Sequence, residues 1–227
     1  MAMIKGVLFD MDGVLLDTER TGRSIFLDEC ARRGYPQMDE KKYDLLLGNT
    51  YERDRELMTE MMGPDFPFEE MYAAYREELK NTAIRGELPC RPGVAECMRE
   101  LKARGLRIAL ATSTARQIVE TYQQHIPELC DVFDFMVCGA EGGRSKPAPD
   151  IYLKAAAGLG LDISECVGVE DSLNGLKSLT AAGAVRVMVP DLLPCDERFA
   201  GVVDHELESL VQLPGLIDRL NLGARVR

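Results

Sequence analysis

The sequence has few of the features that are typical of zinc proteins, of disulfide-rich proteins, and of membrane or secreted proteins. Its 227 residues include only two histidines, and none of its seven cysteines forms a Cys-x-x-Cys pair. Zinc sites and disulfide frameworks usually need such groups, so we expect reduced, buried thiols. No apolar run approaches the length that crosses a membrane, and the start, MAMIKGVLF, lacks the pattern of a signal peptide. These absences predict a cytoplasmic protein.

The chain is acidic, and no run of Lys or Arg offsets its charge. The formal net charge is −11 at pH 7. Such a surface repels nucleic acid and anionic lipid, so we expect neither a nucleic-acid partner nor a membrane partner. A small anionic ligand is still compatible with it, because a metal ion and a few basic groups control the field in one pocket. We expect a globular monomer.

Hydrophobic periodicity divides the chain into regions with two different patterns. Residues 4–10, IKGVLFD, read as a buried strand, whereas residues 18–88 show helical spacing that predicts about four helices. After residue 89, helices alternate with strands. The predicted strands there are residues 106–112, 134–139, 165–171 and 185–190. This alternation predicts an α/β fold with a doubly wound, parallel, Rossmann-like sheet.

The order of these regions along the chain predicts two domains. Residues 1–17 and 89–227 form the α/β core, and residues 18–88 form a small helical domain, the cap segment, inserted after the first strand. Ligands of such sheets bind at the carboxyl ends of the strands. The cap segment is therefore expected to cover the binding site.

Polar side chains follow the predicted strands at the point where each ends. They are Asp10 and Asp12, then Thr112, Ser113 and Thr114, then Lys146 in a later loop, and finally Glu170 and Asp171. So many carboxylates need a counter-charge, and Mg²⁺ takes oxygen ligands of this kind. Hydroxyls at a helix N-terminus and an ammonium group add the features of a phosphate site.

Paired carboxylates next to Mg²⁺ suit phosphoryl transfer. One carboxylate attacks phosphorus and forms an aspartyl-phosphate, and another two residues away protonates the leaving oxygen and then activates water. Simpler explanations exist for each feature alone. A turn accounts for Asp10 and Asp12, and helix capping accounts for Thr112 and Ser113. Neither explains why four segments bring such groups to one edge of the sheet.

Four motifs resemble those of the haloacid dehalogenase superfamily. They are DMDGVLLDTE at 10–19, TST at 112–114, SKPAPD at 145–150 and VGVEDS at 167–172. They occur in the family's order, and together they frame nearly the whole core. The inserted helices resemble the family's small helical cap, as in β-phosphoglucomutase, phosphoglycolate phosphatase and sugar-phosphate phosphatases.

The resemblance implies catalytic roles for three residues. Asp10 would be the nucleophile, and Asp12 the general acid and base. Lys146 would orient the nucleophile and the phosphate. True dehalogenases lack an aspartate at the position of Asp12, so that residue favours phosphoryl transfer.

The resemblance also implies binding roles. Thr112 and Ser113, with Lys146, would hold the transferring phosphoryl group. Asp171, with Glu170, would anchor Mg²⁺, which Asp10 and the backbone carbonyl of Asp12 would also bind.

The cap segment should decide the substrate. In β-phosphoglucomutase-like proteins a histidine and an arginine occupy cap positions that here hold Gly22 and Tyr51. We therefore expect hydrolysis of a small phosphomonoester, a sugar phosphate or similar metabolite, with a β-phosphoglucomutase-like mutase as the alternative. A non-catalytic regulator is a third possibility. Other cap arginines could substitute for the missing one: Arg20, Arg23, Arg53 or Arg55.

Overall fold

One parallel sheet forms the centre of the molecule. The computed structural model describes residues 2–225, so residues 1, 226 and 227 of the predicted core lie outside the described residues. The strands are β1 (Gly6–Phe9), β2 (Arg107–Thr112), β3 (Phe135–Cys138), β4 (Cys166–Glu170), β5 (Val185–Met188) and β6 (His205–Glu206). Their order is β3-β2-β1-β4-β5-β6, and every pair is parallel. The predicted α/β class is confirmed.

Helices cover both faces of the sheet and form the whole regular structure of the cap segment. In the described residues the α-helices are α1 (Thr18–Arg32), α2 (Glu40–Asp44), α3 (Tyr51–Met62), α4 (Phe68–Ile84), α5 (Val94–Ala103), α6 (Arg116–His125), α7 (Asp150–Gly158), α8 (Leu173–Ala182) and α9 (Leu213–Arg225). None of these helices has both the length and the apolar character needed to cross a membrane.

The central strand β1 is apolar because both of its faces are buried. Val7 and Phe9 point into the hydrophobic cluster on one side of the sheet, and Leu8 points into the cluster on the other. Phe9 pairs in register with Leu110 of β2 and with Val169 of β4. Strand β2 continues past this level to Thr112 and β4 to Glu170, so the residues that follow the three strands meet at the same edge of the sheet.

The cap segment has a hydrophobic cluster of its own, which includes Phe26, Met58 and Met71. Its two connections to the core run side by side. The N–H of Asp17 donates to the carbonyl of Pro89 at 2.9 Å. Helix α1 begins directly after this connection, at Thr18. The domain boundaries at 17/18 and 88/89 stay a prediction.

Strand β6 is absent from the sequence-based prediction. It contains only His205 and Glu206, and it pairs with Val187 and Met188 of β5. Two residues are too few to show an alternating pattern. The strand lies at the edge of the sheet, four strands away from β2, and it does not alter the site.

Candidate active site

Asp10 and Asp12 stand at the carboxyl end of the central strand. The N–H of Asp10 donates to the carbonyl of Val169 at 3.0 Å, which extends the pairing of β1 with β4 by one residue. The chain then turns through Gly13, whose φ is +75°. A side chain there would collide with the carboxylate of Asp171. Glycine is thus required both by the backbone conformation and by the approach of Asp171.

Lys146 connects two of the acidic segments. Its Nζ donates to Asp10 Oδ1 at 2.5 Å and to Glu170 Oε1 at 2.7 Å. A third bond goes to the carbonyl of Ala111 at 3.2 Å. Burial lowers the pKa of a lysine, but here the carboxylates of Asp10 and Glu170 raise the pKa of Lys146 above its usual value. The ammonium is therefore charged and fixed in direction.

Glu170 accepts hydrogen bonds on both carboxylate oxygens. Oε1 accepts from Lys146 and from the phenol of Tyr152, the latter at 2.5 Å. Oε2 accepts from the backbone N–H of Ser172 at 3.2 Å and from its hydroxyl at 2.9 Å. The side chain is fully buried, and these donors compensate its charge. Gly175 on α8 provides the space, since a Cβ there would collide with this carboxylate.

Three carboxylates form a cluster that fits a divalent cation. One oxygen each from Asp10, Glu170 and Asp171 lies within 4.8 Å of the others. Burial raises the pKa of Asp171 well above its usual range, and the charges of Glu170 and Asp10 add to this. Burial, Glu170 and Asp12 likewise raise the pKa of Asp10 to about 7, against the opposing effect of Lys146. This excess negative charge and the all-oxygen donor set suit a hard metal ion.

The three hydroxyl side chains at the end of β2 and directly after it make different contacts. Thr112 is fully buried, and its Oγ1 accepts from the N–H of Thr114 at 3.0 Å. Thr114 Oγ1 in turn donates to Asp12 Oδ2 at 2.7 Å, and Ser113 and Thr114 line the cavity. Helix α6 begins only at Arg116, with no side-chain cap, so the capping alternative is wrong. Thr114, the third hydroxyl of the same motif, was expected at this edge of the sheet but was given no role, and it is the hydroxyl that contacts Asp12.

A cavity of about 660 Å³ lies between this edge of the sheet and the cap segment. Asp10, Asp12, Lys146 and Asp171 line it from the core side. Five of the chain's seven tyrosines are among the described residues that line it: Tyr43, Tyr51, Tyr72, Tyr75 and Tyr122. Phenols combine apolar rings with hydroxyls that donate and accept hydrogen bonds. The cavity is thus suited to an organic ligand that carries hydroxyl groups.

Glu19 and Arg76 bring ionisable groups to the cap side of the cavity. Burial and the charge of Asp12 raise the pKa of Glu19 to about 8. Two basic side chains, Lys146 and Arg76, are among the described residues that line the cavity. The Arg76 guanidinium carbon lies 6.0 Å from the centroid of the Tyr72 ring. Lys146 is committed to Asp10 and Glu170, so Arg76 is the basic group that the cap contributes to the described lining of the cavity.

The four cap arginines considered from the sequence lie elsewhere, outside the described lining of the cavity. Each pairs with a carboxylate: Arg20 with Asp191, Arg23 with Asp44, Arg53 with Glu56 and Arg55 with Glu69. Arg76 was overlooked because its only signal is helical spacing. Tyr72, Tyr75 and Arg76 share one face of α4, at intervals of three and four residues.

Gly22 creates space that two phenols fill. A Cβ on Gly22 would lie 2.8 Å from the Tyr75 hydroxyl oxygen and 3.3 Å from that of Tyr43. Even alanine would press on Tyr75 at this position. The lack of a side chain at Gly22 therefore leaves room for two phenol hydroxyls in the cap.

The fold and the site define an α/β protein with a cluster of carboxylates beneath a helical cap. The family model of haloacid dehalogenase-like hydrolases matches residues 4–183, and the chain belongs to this family. Protein CbbY of Cereibacter sphaeroides is 32% identical over 225 residues, which cover 94% of this chain and 96% of that protein. A probable pseudouridine-5'-phosphatase of Drosophila melanogaster is 36% identical over 192 residues, 81% of this chain and 80% of that protein.

A solved structure supports the same relationship. A mutant of CbbY from Rhodobacter sphaeroides, in complex with xylulose-(1,5)bisphosphate, superposes with a TM-score of 0.76. The match covers 93% of this chain and 96% of that one, at 30% identity. The match therefore extends over both the core and the cap segment of this chain.

Proposed function

We propose that this chain is a Mg²⁺-dependent phosphatase that hydrolyses a small phosphomonoester, such as a sugar phosphate, through an aspartyl-phosphate intermediate. One observation carries the proposal: Lys146 contacts Asp10 beside Asp171, at the base of a cavity that a single metabolite would fill. The relatives support it, since one is named a phosphatase and the structure of another contains a sugar bisphosphate.

Asp10 and Asp12 carry the bond changes. A carboxylate oxygen of Asp10 attacks phosphorus, and the bond from phosphorus to the ester oxygen breaks. Asp12 donates its proton to that leaving oxygen and then takes a proton from the water that releases phosphate from Asp10. Thr114 holds Asp12 through the bond at 2.7 Å. Lys146 fixes the direction of the Asp10 carboxylate.

Asp10 and Asp171, with Glu170 and the backbone carbonyl of Asp12, would hold Mg²⁺. When bound, the ion would neutralise charge on the phosphoryl oxygens and on these carboxylates. Direct ligation by Glu170 stays a prediction, because both of its oxygens already accept hydrogen bonds. Ser113, which lines the cavity, and Thr112 at the end of β2 would hold the phosphoryl oxygens.

The cavity favours a leaving group rich in hydroxyls. Phenols from α2 and α4 and the carboxyl of Glu19 surround the space above Asp12. With a pKa of about 8, Glu19 is largely protonated at neutral pH and can donate a hydrogen bond to a hydroxyl group. A small phosphorylated metabolite is therefore the proposed partner. A cytoplasmic location, a monomeric state and the lack of nucleic-acid and membrane partners stay predictions.

The proposal is tested by hydrolysis of p-nitrophenyl phosphate and of a panel of sugar phosphates with Mg²⁺. We expect turnover that EDTA removes and that added Mg²⁺ restores. Asp10→Asn should lower turnover by about 10³-fold or more because the amide is a poor nucleophile. Asp28→Asn, an exposed change on α1, is the matched control. Full activity in Asp10→Asn, or no turnover across the panel by the wild type, would contradict the proposal.

One observation favours the alternative function, a mutase of the β-phosphoglucomutase type. Such an enzyme must hold a second phosphate, and Arg76 brings a guanidinium to the cap side of the cavity. The test is conversion of β-glucose 1-phosphate to glucose 6-phosphate, primed by a glucose bisphosphate. Isomerisation that exceeds release of phosphate would favour the mutase, and release of phosphate alone would remove it.

A further inference from the structure

Tyr152 is a buried phenol that the proposed reaction does not use. It lies on α7, is fully buried, and belongs to the hydrophobic cluster that also contains Leu8 and Ala111. A phenol hydroxyl in such surroundings needs a hydrogen-bond partner. Phenylalanine would fill almost the same space without this requirement. The hydroxyl therefore calls for an explanation beyond packing.

The partner of Tyr152 is the carboxylate that also holds Lys146. Tyr152 donates to Glu170 Oε1 at 2.5 Å, and Lys146 donates to the same oxygen at 2.7 Å. The other oxygen of Glu170 is held by Ser172. Glu170 is therefore fixed from both sides, and Tyr152 shares one oxygen with the lysine.

Tyr152 also touches Lys146 directly. The ammonium lies 4.9 Å from the centroid of the Tyr152 ring, within the range of a cation–π interaction. From the same Nζ, Lys146 reaches Asp10 Oδ1 at 2.5 Å. The hydroxyl of Tyr152 thus acts on the acceptor of Lys146, while its ring limits where the ammonium can lie.

We propose that Tyr152 is a positioning residue that acts through Glu170 and Lys146 to aim the Asp10 carboxylate. Its hydroxyl balances part of the charge on Glu170 Oε1. Without that bond, Glu170 attracts the ammonium more strongly, and Lys146 shifts its hydrogen bonding from Asp10 towards Glu170. The inference rests on the proposed function for its kinetic effects, but the geometry that carries it is independent of substrate.

The kinetic test is Tyr152→Phe, which removes one oxygen atom and keeps the ring. We expect kcat to fall by about 5- to 20-fold with p-nitrophenyl phosphate, while KM stays within about twofold, because substrate contacts are untouched. Tyr35→Phe is the matched control, since Tyr35 packs against Phe66 in the cap cluster, away from the cavity. A purely structural role for Tyr152 would lower the urea midpoint and leave kcat unchanged in the folded enzyme; that result would overturn the proposal.

A double-mutant cycle tests the route of the effect. In a Glu170→Gln background the attraction of a full negative charge for Lys146 is gone. Adding Tyr152→Phe there should change kcat by less than about twofold if Tyr152 acts through Glu170. An equal loss in both backgrounds would overturn the proposed route. If Tyr152→Phe fails to fold, the comparison moves to Ser172→Ala, which removes a donor from the other oxygen of Glu170 and should also lower kcat. Ser172 also caps α8 and lines the cavity, so the urea midpoint and KM of this variant are measured alongside.

A binding test separates this inference from the proposed function. Beryllium fluoride with Mg²⁺ mimics a phosphoryl group on a carboxylate, and ¹⁹F NMR measures its binding without turnover. We expect Tyr152→Phe to weaken binding by about 5-fold or more relative to the wild type and to Tyr35→Phe. If the wild type binds the mimic yet hydrolyses no ester, the proposed function fails while the Tyr152 inference is still decided. Equal binding by Tyr152→Phe and wild type would overturn the inference.

Discussion

The α/β core and the cap segment bring different kinds of side chain to the same cavity. On the core side, Lys146, Glu170 and Asp10 hold one another through bonds of 2.5–2.7 Å. On the cap side, the guanidinium of Arg76 lies over the ring of Tyr72, and burial raises the pKa of Glu19. Interactions that are already satisfied fix geometry, whereas groups left for a ligand confer selectivity. Under the proposed function, the core is therefore arranged for chemistry and the cap for recognition.

The largest expected effect comes from the acid on the core side. Asp12→Asn should lower kcat/KM for the best sugar phosphate by about 10²- to 10⁴-fold, because an alkoxide leaves poorly without a proton. The loss with p-nitrophenyl phosphate should be at least about tenfold smaller, since p-nitrophenolate leaves unprotonated. Equal losses with both esters would show that Asp12 is not the acid. Asp28→Asn again serves as the control.

The next effect tests recognition by the cap. Arg76→Met removes the guanidinium and keeps an apolar chain, so a ligand with a second phosphate should bind about 10- to 100-fold more weakly. The measurement is the inhibition constant of glucose 1,6-bisphosphate against p-nitrophenyl phosphate, with glucose 6-phosphate as the single-phosphate comparison. The kcat for p-nitrophenyl phosphate should stay within about threefold.

The matched control is Arg99→Met, an exposed change on α5 of the core. Its inhibition constants should equal those of the wild type. If Arg76→Met weakens both sugar phosphates equally, the guanidinium does not read a second phosphate. If it lowers kcat for p-nitrophenyl phosphate strongly, the separation of recognition from chemistry is wrong.

The smallest effect concerns stability and its dependence on pH. The pKa of Glu19 rises from 4.5 to about 8 on folding, so the folded state holds a proton that the unfolded state has lost. The contribution of Glu19 to stability is therefore present below pH 4.5 and is lost as the pH rises towards 8. Between pH 6 and pH 9 the wild type should lose roughly 2–3 kcal/mol relative to Glu19→Gln, measured by urea unfolding.

Glu96→Gln, an exposed change on α5, is the control and should track the wild type at both pH values. A constant difference between the wild type and Glu19→Gln across this range would mean that Glu19 is ionised in the folded state throughout. The carboxyl would then face the ligand as an anion, and its proposed role as a hydrogen-bond donor would be lost.

The same division between core and cap explains how far the sequence could be read. Asp10 follows an apolar strand, and parallel strands in register bring Glu170 to the same edge of the sheet. Short motifs and one topological rule are therefore enough to predict the core side of the site. The contact of Thr114 with Asp12 could not be predicted from the sequence, because only the path of the chain after β2 shows which hydroxyl reaches Asp12.

The cap was less readable because its contacts join segments that are far apart in the chain. Gly22 and Tyr75 meet only when α1 packs on α4, and nothing local to either residue signals the contact. Arg76 carries no motif and resembles a surface arginine at the level of sequence. Tyr152 looks like a core aromatic until its distance from Glu170 is known. Strand β6 was missed because it is too short to have a period.

The most direct test of the central claim is to trap the phosphorylated enzyme. Asp12→Asn should slow release of phosphate from Asp10, so the adduct should accumulate during turnover of p-nitrophenyl phosphate. Acid quenching then preserves the adduct for analysis. Peptide mass spectrometry should then find one phosphoryl group on the peptide that contains Asp10, and none in the Asp10→Asn, Asp12→Asn double variant. Continued turnover with no adduct on Asp10, or an adduct on another residue, would contradict the account.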